Sequence, residues 1–276
     1  MVPSRLRVGN MHLGHLRGND SVAASVALSV ALATLSFSGQ NSPKTGSLPS
    51  VQEVMGHFVG AVGGRDAIFK HRSMTVHGKL MLSDKGPTVD RSVYYKDRKM
   101  LYDITLPSGG EYKEGFDGNT AWQLHPRDGP SIFQGDLAKS KQRDADMYYP
   151  GRILDYFRSM EVVDVTDFGG HHCYHLKGTN KWGKVNEHFY DTASGLLIGY
   201  RFNSSWRGGS GDESEVFSDY KDFGGWLMPT RAAHKSADGE QVETTTSVSF
   251  DDVADSVFTL PDPVKALLAK QATSPR

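Results

Sequence analysis

Apolar and polar residues alternate over short stretches from about residue 75 to residue 250, and Gly, Asp and Asn separate the stretches. Side chains of a β-strand point alternately to the two faces of a sheet, so this period of two predicts strands with one buried face. In the segment 99–106, for example, Met100, Tyr102 and Ile104 are predicted to share one face. The pattern predicts about ten or eleven strands, most of them antiparallel neighbours joined by tight turns.

Apolar residues recur at helical spacing in only a few places, and helices are predicted there. Apolar residues at helical spacing follow Ser50, and Glu53 completes a capping box with it, so a helix begins at residue 51. Gly63 and Gly64 supply the left-handed backbone that ends it. Further helical segments are predicted at 137–149, 153–160 and 264–269.

Many antiparallel strands with one long helical excursion predict a mainly β fold that also contains α-helices. We expect a single strongly curved antiparallel sheet, a half-open and incomplete β-barrel, with helices covering its opening. One domain is predicted over residues 48–270, after a flexible tether at 40–47 and before a disordered tail at 271–276.

The first 39 residues resemble a secretion signal. Arg5, Arg7 and Arg17 precede an apolar run at 22–35, which is too short to span a bilayer, and small residues follow it. We predict cleavage near residue 39 and export to the periplasm, with an uncleaved N-terminal anchor as the alternative.

Composition argues against nucleic acid as a partner and favours the bacterial periplasm as the compartment. The chain of 276 residues has a formal net charge of −1 with mixed signs throughout, so no basic face for nucleic acid is expected. Cys173 is the only cysteine, which rules out an intramolecular disulfide. An exported eukaryotic domain of this size usually carries several disulfides, so a bacterial periplasmic protein is favoured.

Several short motifs in a fixed order give the chain a resemblance to a known family. They are Val62-Gly63-Gly64, Gly115-Phe116-Asp117-Gly118 with Ala121-Trp122, Phe189-Tyr190-Asp191 with Ser194-Gly195-Leu196-Leu197, Asp219-Tyr220 to Pro229, and Phe258-Thr259-Leu260-Pro261. In their order and spacing the chain resembles the periplasmic outer-membrane lipoprotein-sorting proteins, the LolA-like group, over roughly residues 48–262. The resemblance implies a half-barrel with a helical lid and an apolar cavity that shields acyl chains.

An apolar cavity inside the curved sheet is the predicted binding site. Keeping an acyl chain from water is worth about 0.8 kcal/mol per CH₂, which would allow carriage with few polar contacts. The candidate cavity residues are Tyr94, Met100, Tyr102, Ile104, Phe116, Trp122, Tyr174, Phe189, Ile198 and Phe202. The candidate lid residues are Phe58, Met147 and Tyr148.

A metal site and a nucleophile motif are considered and not favoured. His171, Cys173 and His175 alternate on one predicted strand face, but same-face neighbours lie about 6–7 Å apart, too far for three to reach one ion undistorted. The segment 208–211 reads Gly-Gly-Ser-Gly, yet Asp212 stands where a nucleophile elbow needs Gly, so a flexible hairpin tip is predicted.

Two carboxylate pairs, Asp144 with Asp146 and Asp251 with Asp252, are interpreted as solvated helix and turn residues because nothing places either pair across a cleft. No catalytic residue, metal or cofactor is therefore predicted. The leading hypothesis is a periplasmic carrier or chaperone for a lipid or for the acyl chain of a lipoprotein. A sensor of envelope stress that binds lipid or an inner- or outer-membrane protein is the alternative, and an enzyme is the less favoured third.

Overall fold

The structure is a computed structural model that describes residues 47–83, 85–107, 109–206 and 209–273. The predicted signal peptide at 1–39, the tether up to residue 46 and residues 274–276 lie outside the described residues. Residues 271–273, expected to belong to a disordered tail, form the last turn of a helix instead.

Within the described residues, thirteen strands form one antiparallel sheet, which confirms the predicted mainly β fold. The alternating segments supply these strands, and Gly129–Ile132 is a further short strand that the pattern did not reveal. In chain order they are β1 Ser73–Met81, β2 Thr88–Lys96, β3 Lys99–Thr105, β4 Glu111–Phe116, β5 Ala121–His125, β6 Gly129–Ile132, β7 Phe157–Phe168, β8 His171–Asn180, β9 Val185–Asp191, β10 Leu197–Trp206, β11 Gly209–Phe223, β12 Trp226–Ser236 and β13 Gly239–Ser249.

The strand order divides the sheet into two limbs. It runs β6-β5-β4-β3-β2-β1-β13-β12-β11-β10-β9-β8-β7, so the first and last strands pair at the centre. We call β1–β6 the N-terminal limb and β7–β13 the C-terminal limb. Among the described residues, the outer strands β6 and β7 do not pair with each other, so the barrel is incomplete, as predicted. Residues 133–156, here the crossover segment, connect these two edges.

In the ranges that the structure describes, four α-helices accompany the sheet: α1 Val51–Ala61, α2 Gly64–Phe69, α3 Gly135–Asp144 and α4 Asp262–Thr273. The predicted capping box begins α1, because Ser50 Oγ accepts from the Glu53 amide and the Glu53 carboxylate accepts from the Ser50 amide at 2.7 Å. In the part of the chain that the structure describes, no helix has both the length and the apolar character that crossing a membrane requires.

The internal helix is shorter than predicted. It ends at Asp144, and two single 3-10 turns, Tyr149–Gly151 and Ile153–Tyr156, follow it. The Asp146 carboxylate accepts the Tyr148 amide at 3.1 Å, which offers the backbone an alternative to helical bonding. The prediction of a helix at 153–160 is wrong beyond residue 156, because β7 begins at residue 157.

Helix α1 is fixed on one face of the sheet by a close backbone approach. The Leu227 amide donates to the Val62 carbonyl at 3.0 Å. At Gly63, with φ of 107°, a Cβ atom would stand 1.9 Å from the Gly225 carbonyl oxygen, so only glycine fits. We call the face that carries α1 the inner face and the opposite one the outer face.

The N-terminal limb is packed on both faces. On its inner face Met100, Tyr102 and Ile104 join α1 in the largest buried cluster. On its outer face Leu101 and Trp122 form a second cluster with residues 253–264, and α4 lies over β5 and β6. The C-terminal limb carries a small outer cluster around Phe189, and its inner face borders a cavity.

Candidate functional site

A cavity of about 480 Å³ lies between the inner face of the C-terminal limb, α1 and the crossover segment. Strands β8–β12 form its floor, β4 and β5 close one side, and α3 with the following 3-10 turns covers it. Its volume falls in the range of about 300–1,000 Å³ that small-molecule sites occupy. The crossover segment is thus the cover that connects the two edges of the sheet.

One part of the cavity wall is apolar. It combines side chains of α1 with inward residues of β10, β11 and β12 and with residues of the crossover segment. These are Phe58, Val62, Phe133, Ile153, Leu197, Phe202, Phe217, Trp226 and Met228. On β12 the alternation places Trp226 and Met228 on the same face, because residues two apart on a strand share a face. This wall can cover a hydrocarbon chain.

The second part of the wall contains buried ion pairs. Lys141 of α3 pairs with Glu114 of β4, and their side chains are 7% and 1% exposed. Tyr112 donates to the other Glu114 oxygen at 2.8 Å. The Lys141 ammonium also lies 5.3 Å from the centre of the Phe133 ring. Burial raises the pKa of Glu114, and the contacts with Lys141 and Tyr112 oppose that rise.

Arg143, near the end of α3, extends into the same cavity. Its Nε and Nη2 atoms donate to Asp144 Oδ1 at 3.1 and 2.8 Å. The guanidinium carbon lies 5.7 Å from the Tyr149 ring centre and 5.9 Å from that of Trp182. Two aromatic rings and a carboxylate therefore hold this cation beside the cavity.

His188 of β9 is a neutral member of the wall. It is 2% exposed, and burial together with the positive charge of Arg143 lowers its pKa to about 3. Its Nδ1 atom lies 3.2 Å from the Tyr190 hydroxyl, and its ring packs edge-on against Tyr200. An uncharged imidazole is thus available for hydrogen bonding at any pH above 4.

Glu213 of β11 and His234 of β12 form another buried pair on this wall, each about 5% exposed. His234 Nε2 lies 3.2 Å from the Glu213 carboxylate, and Nδ1 lies 3.2 Å from the Ser214 carbonyl oxygen. A carbonyl oxygen can only accept, so Nδ1 is the donor of that contact, and Nε2 faces the Glu213 carboxylate.

The architecture of the sheet and its cover is shared with solved bacterial proteins. A LolA superfamily protein from Nitrosomonas europaea superposes with a TM-score of 0.53 at 17% identity, over 77% of this chain and 99% of that chain. A DUF1329 family protein from Desulfovibrio piger gives 0.53 at 14% identity, over 76% and 97%.

The chain has a LolA-like fold. The likeness to these structures is one of fold, since their sequence identity to this chain is low. No protein-family model matches the sequence, and no curated protein matches it significantly. The fold expected from the sequence motifs is confirmed, and function has to be argued from the cavity.

Two of the predicted site residues line the cavity of this LolA-like fold. Phe202 belongs to its floor, and Phe58, predicted as a lid residue, lies on α1 beside it. The other two lid candidates lie elsewhere. Met147 is buried in the inner core, while Tyr148 stacks on Phe69 at 5.1 Å and donates to the His71 carbonyl. Tyr149, the next residue, faces the cavity instead.

The remaining predicted cavity residues fill packed clusters, and none is among the lining residues. Met100, Tyr102, Ile104 and Phe116 belong to the largest buried cluster, on the inner face, and Tyr174 of β8 packs against that cluster. The other four lie on the outer face: Tyr94 and Trp122 near α4, Phe189 and Ile198 in the small outer cluster. Strands with apolar residues at consecutive positions do not reveal which face is inward.

Sequence reasoning missed the ionisable part of the wall. Asn186 and His188 alternate on β9, and Glu213 and Glu215 precede Phe217 at the same spacing on β11. When polar residues lie two apart on a strand from an inward-facing apolar residue, they face the same side of the sheet. This spacing is the signal that the cavity on that side is partly polar. The prediction of an apolar cavity is therefore incomplete.

The candidate metal ligands and the Gly-Gly-Ser-Gly segment lie in ordinary strand positions where they are described. His171, Cys173 and His175 lie on β8, where Cys173 is fully buried and both His175 nitrogens face carboxylates, those of Asp164 and Glu187. No group of three or more potential metal ligands occurs within the described ranges. Gly208 lies outside the described residues, and residues 209–211 begin β11.

The paired aspartates have separate structural roles. Asp144 lines the cavity, whereas Asp146 is fully buried within the crossover segment and accepts from Tyr156 at 2.7 Å. Asp252 pairs with Lys96 at 3.0 Å, and the Asp251 carbonyl accepts from a serine hydroxyl. The solvated interpretation is therefore wrong for Asp144 and Asp146, which are both buried.

Proposed function

We propose that this protein is a carrier that holds a lipid, or the acyl chain of an acylated polypeptide, in the cavity of the C-terminal limb. The observation that carries the proposal is the cavity of about 480 Å³ with an apolar wall on the inner face of an open sheet. Apolar surface gathered in a concave site of this size is typical of ligand binding. The leader at residues 1–39 supports carriage in the periplasm.

The apolar wall supplies the driving force for binding. Each CH₂ group that leaves water contributes about 0.8 kcal/mol, so a chain of ten carbons gains about 8 kcal/mol before the cost of ordering it. Phe58, Phe217 and Met228 offer such a surface from three different elements. Affinity would then depend on chain length more than on any single polar contact.

Binding is favoured over catalysis by the state of the ionisable groups. Lys141 is paired with Glu114, and Arg143 with Asp144. General acid–base catalysis needs a group that exchanges a proton near neutral pH, whereas burial keeps His188 uncharged there. These side chains suit a preorganised polar wall beside a hydrocarbon site.

A cavity-blocking variant tests the proposal. Ser140→Trp places a large ring at a half-buried position of α3 that lines the cavity, and Gln142→Trp places the same ring at an exposed position of the same helix. We expect delipidated wild-type protein and Gln142→Trp to bind a fluorescent fatty-acid probe saturably, and Ser140→Trp to lose at least tenfold in affinity.

Two results would contradict the carrier proposal. Wild-type protein that neither binds the probe nor yields lipid in native mass spectrometry of periplasmic material would remove its basis. Equal loss in both tryptophan variants would place any binding outside the cavity. Capture of a membrane protein by lipid-free protein would instead favour the sensor hypothesis.

A further inference from the structure

The guanidinium of Arg143 has an unused hydrogen-bonding edge. Nε and Nη2 donate to one oxygen of Asp144, at 3.1 and 2.8 Å. In the described part of the chain Nη1 has no hydrogen-bond partner. A guanidinium carries five N–H donors, so the edge formed by Nη1 and the second Nη2 hydrogen can still bind two oxygens of one anion.

The surroundings hold this edge in a fixed position. The Tyr149 and Trp182 rings lie within 6 Å of the guanidinium, one from the crossover segment and one from the turn between β8 and β9. The Arg143 side chain is 24% exposed, so a ligand can reach it while most of its surface is shielded from water. Shielding strengthens a charge-assisted hydrogen bond.

Other groups around the cavity suit an anion at this place. Lys184, in the turn between β8 and β9, lines the cavity and adds a second positive charge. Asn180 and Asn186 also line the cavity and add amide groups. Neutral His188 faces the same space without contributing a charge of its own. Each of four carboxylates on the wall has a basic partner: Glu114 has Lys141, Asp136 has Lys139, Asp144 has Arg143 itself, and Glu213 has His234 at 3.2 Å. The fifth is Glu215 of β11.

We propose that Arg143 binds the anionic head group, a carboxylate or a phosphate, of an amphiphile whose hydrocarbon chain lies on the apolar wall. The inference rests on the proposed carrier function and deepens it by naming the class of ligand. It distinguishes an anionic amphiphile from a neutral acyl chain, which would gain nothing from a bidentate cation.

The test compares ligands that share one saturated chain length and differ in the head group: fatty acid, alkyl phosphate and fatty alcohol, measured at pH 8 by displacement of a neutral fluorescent probe. Inorganic phosphate alone is a fourth ligand. Wild-type protein, Arg143→Gln and Lys139→Gln are compared, because Lys139 is an exposed cation on the same helix. The double variant Arg143→Gln with Asp144→Asn avoids an unpaired buried carboxylate and replaces the single variant if that one does not fold.

We expect wild-type protein and Lys139→Gln to prefer the acid and the alkyl phosphate over the alcohol by about tenfold, which equals 1.4 kcal/mol. Arg143→Gln should lose this preference and keep its affinity for the alcohol. Arg143→Lys should retain part of it, since a lysine keeps the charge and loses the bidentate fork.

The possible failures are distinguishable. If alcohol and acid bind wild-type protein equally, or if Arg143→Gln keeps the preference, the assignment to Arg143 is overturned while the carrier function stands. If inorganic phosphate binds as tightly as alkyl phosphate, the site is one for a free anion and the amphiphile is excluded. If none of the chain-bearing ligands binds, the carrier function itself fails.

Discussion

The same alternating pattern of apolar residues produces a packed core in one limb of the sheet and a cavity wall in the other. In the N-terminal limb Ile104 and its neighbours share the largest buried cluster with α1 on the inner face, while Trp122 is covered near α4 on the outer face. In the C-terminal limb the inward residues, such as Phe202 and Phe217, border a cavity. One limb is a closed core, and the other is a wall with space in front of it.

The difference follows from the crossover segment. It has to connect β6 with β7, the two edges that never pair in the described sheet, and it therefore spans the inner side. Its buried residues, such as Met147, fill the side nearer the N-terminal limb, whereas α3 stands off from the C-terminal limb. The same connection therefore leaves the N-terminal limb packed and the C-terminal limb with a cavity on its inner face.

The largest expected effect concerns the ion pair that joins the crossover segment to the N-terminal limb. Lys141→Met leaves the Glu114 carboxylate buried without its cation, and we expect the free energy of unfolding to fall by about 3–5 kcal/mol at pH 7. Urea denaturation measures this change. Adding Glu114→Gln should restore most of the stability, and a double variant as unstable as the single one would show that lost packing is the cause.

The pH dependence of Lys141→Met provides a second check on the same pair. Burial already raises the pKa of Glu114, so the folded state keeps a proton that the unfolded chain loses near 4.5. A raised acidic pKa gives stability that is present at low pH and is lost as pH rises above 4.5. The defect should therefore shrink as pH falls toward 4.5, and a defect independent of pH would contradict this account.

Truncation to alanine should have a different cost in each of the two limbs. Ile104→Ala in the packed limb is expected to lower the free energy of unfolding by about 3 kcal/mol, because it opens a new void. Phe202→Ala removes more atoms but borders existing space, so about 1 kcal/mol is expected, together with weaker probe binding. Similar costs in chemical denaturation would mean that the C-terminal limb is packed as tightly as the other.

His188 should make the C-terminal limb sensitive to acid. Its pKa of about 3 lies below the ordinary value of 6.5, so its contribution to stability is present above 6.5 and is lost as pH falls toward 3. Between pH 6.5 and 4.5 the loss amounts to about 2.5 kcal/mol at one proton per molecule. The difference in unfolding free energy between His188→Gln and wild type over this range measures the contribution of His188. Parallel curves for the two proteins would refute the predicted pH dependence.

The smallest effect is expected at the start of α1. Ser50→Ala removes the side chain that accepts from the Glu53 amide, and a lost capping box costs about 1 kcal/mol. Thermal unfolding followed by circular dichroism measures this change. The exposed Ser47→Ala serves as the control, and equal shifts for both variants would show that the cap contributes nothing.

Local signals were sufficient for the architecture but insufficient for the cavity. The capping box at Ser50 and the turn at Asp117-Gly118-Asn119 are encoded within a few residues, and both form where the sequence indicates. Phe189 and Tyr190 are both buried, one outward and one inward, so hydrophobicity does not reveal their facing. The pairing of Lys141 with Glu114 joins residues that only the folded crossover segment brings together.

The most direct test of the central claim uses quenching of tryptophan fluorescence by a dibrominated fatty acid. Trp226 lines the cavity, whereas Trp122 lies in the outer cluster of the N-terminal limb. In two variants that each retain one of these tryptophans, with phenylalanine at the others, the quencher should saturably reduce the emission of Trp226 and leave that of Trp122 unchanged. Equal quenching of both, or of neither, would contradict a hydrocarbon site in the C-terminal limb.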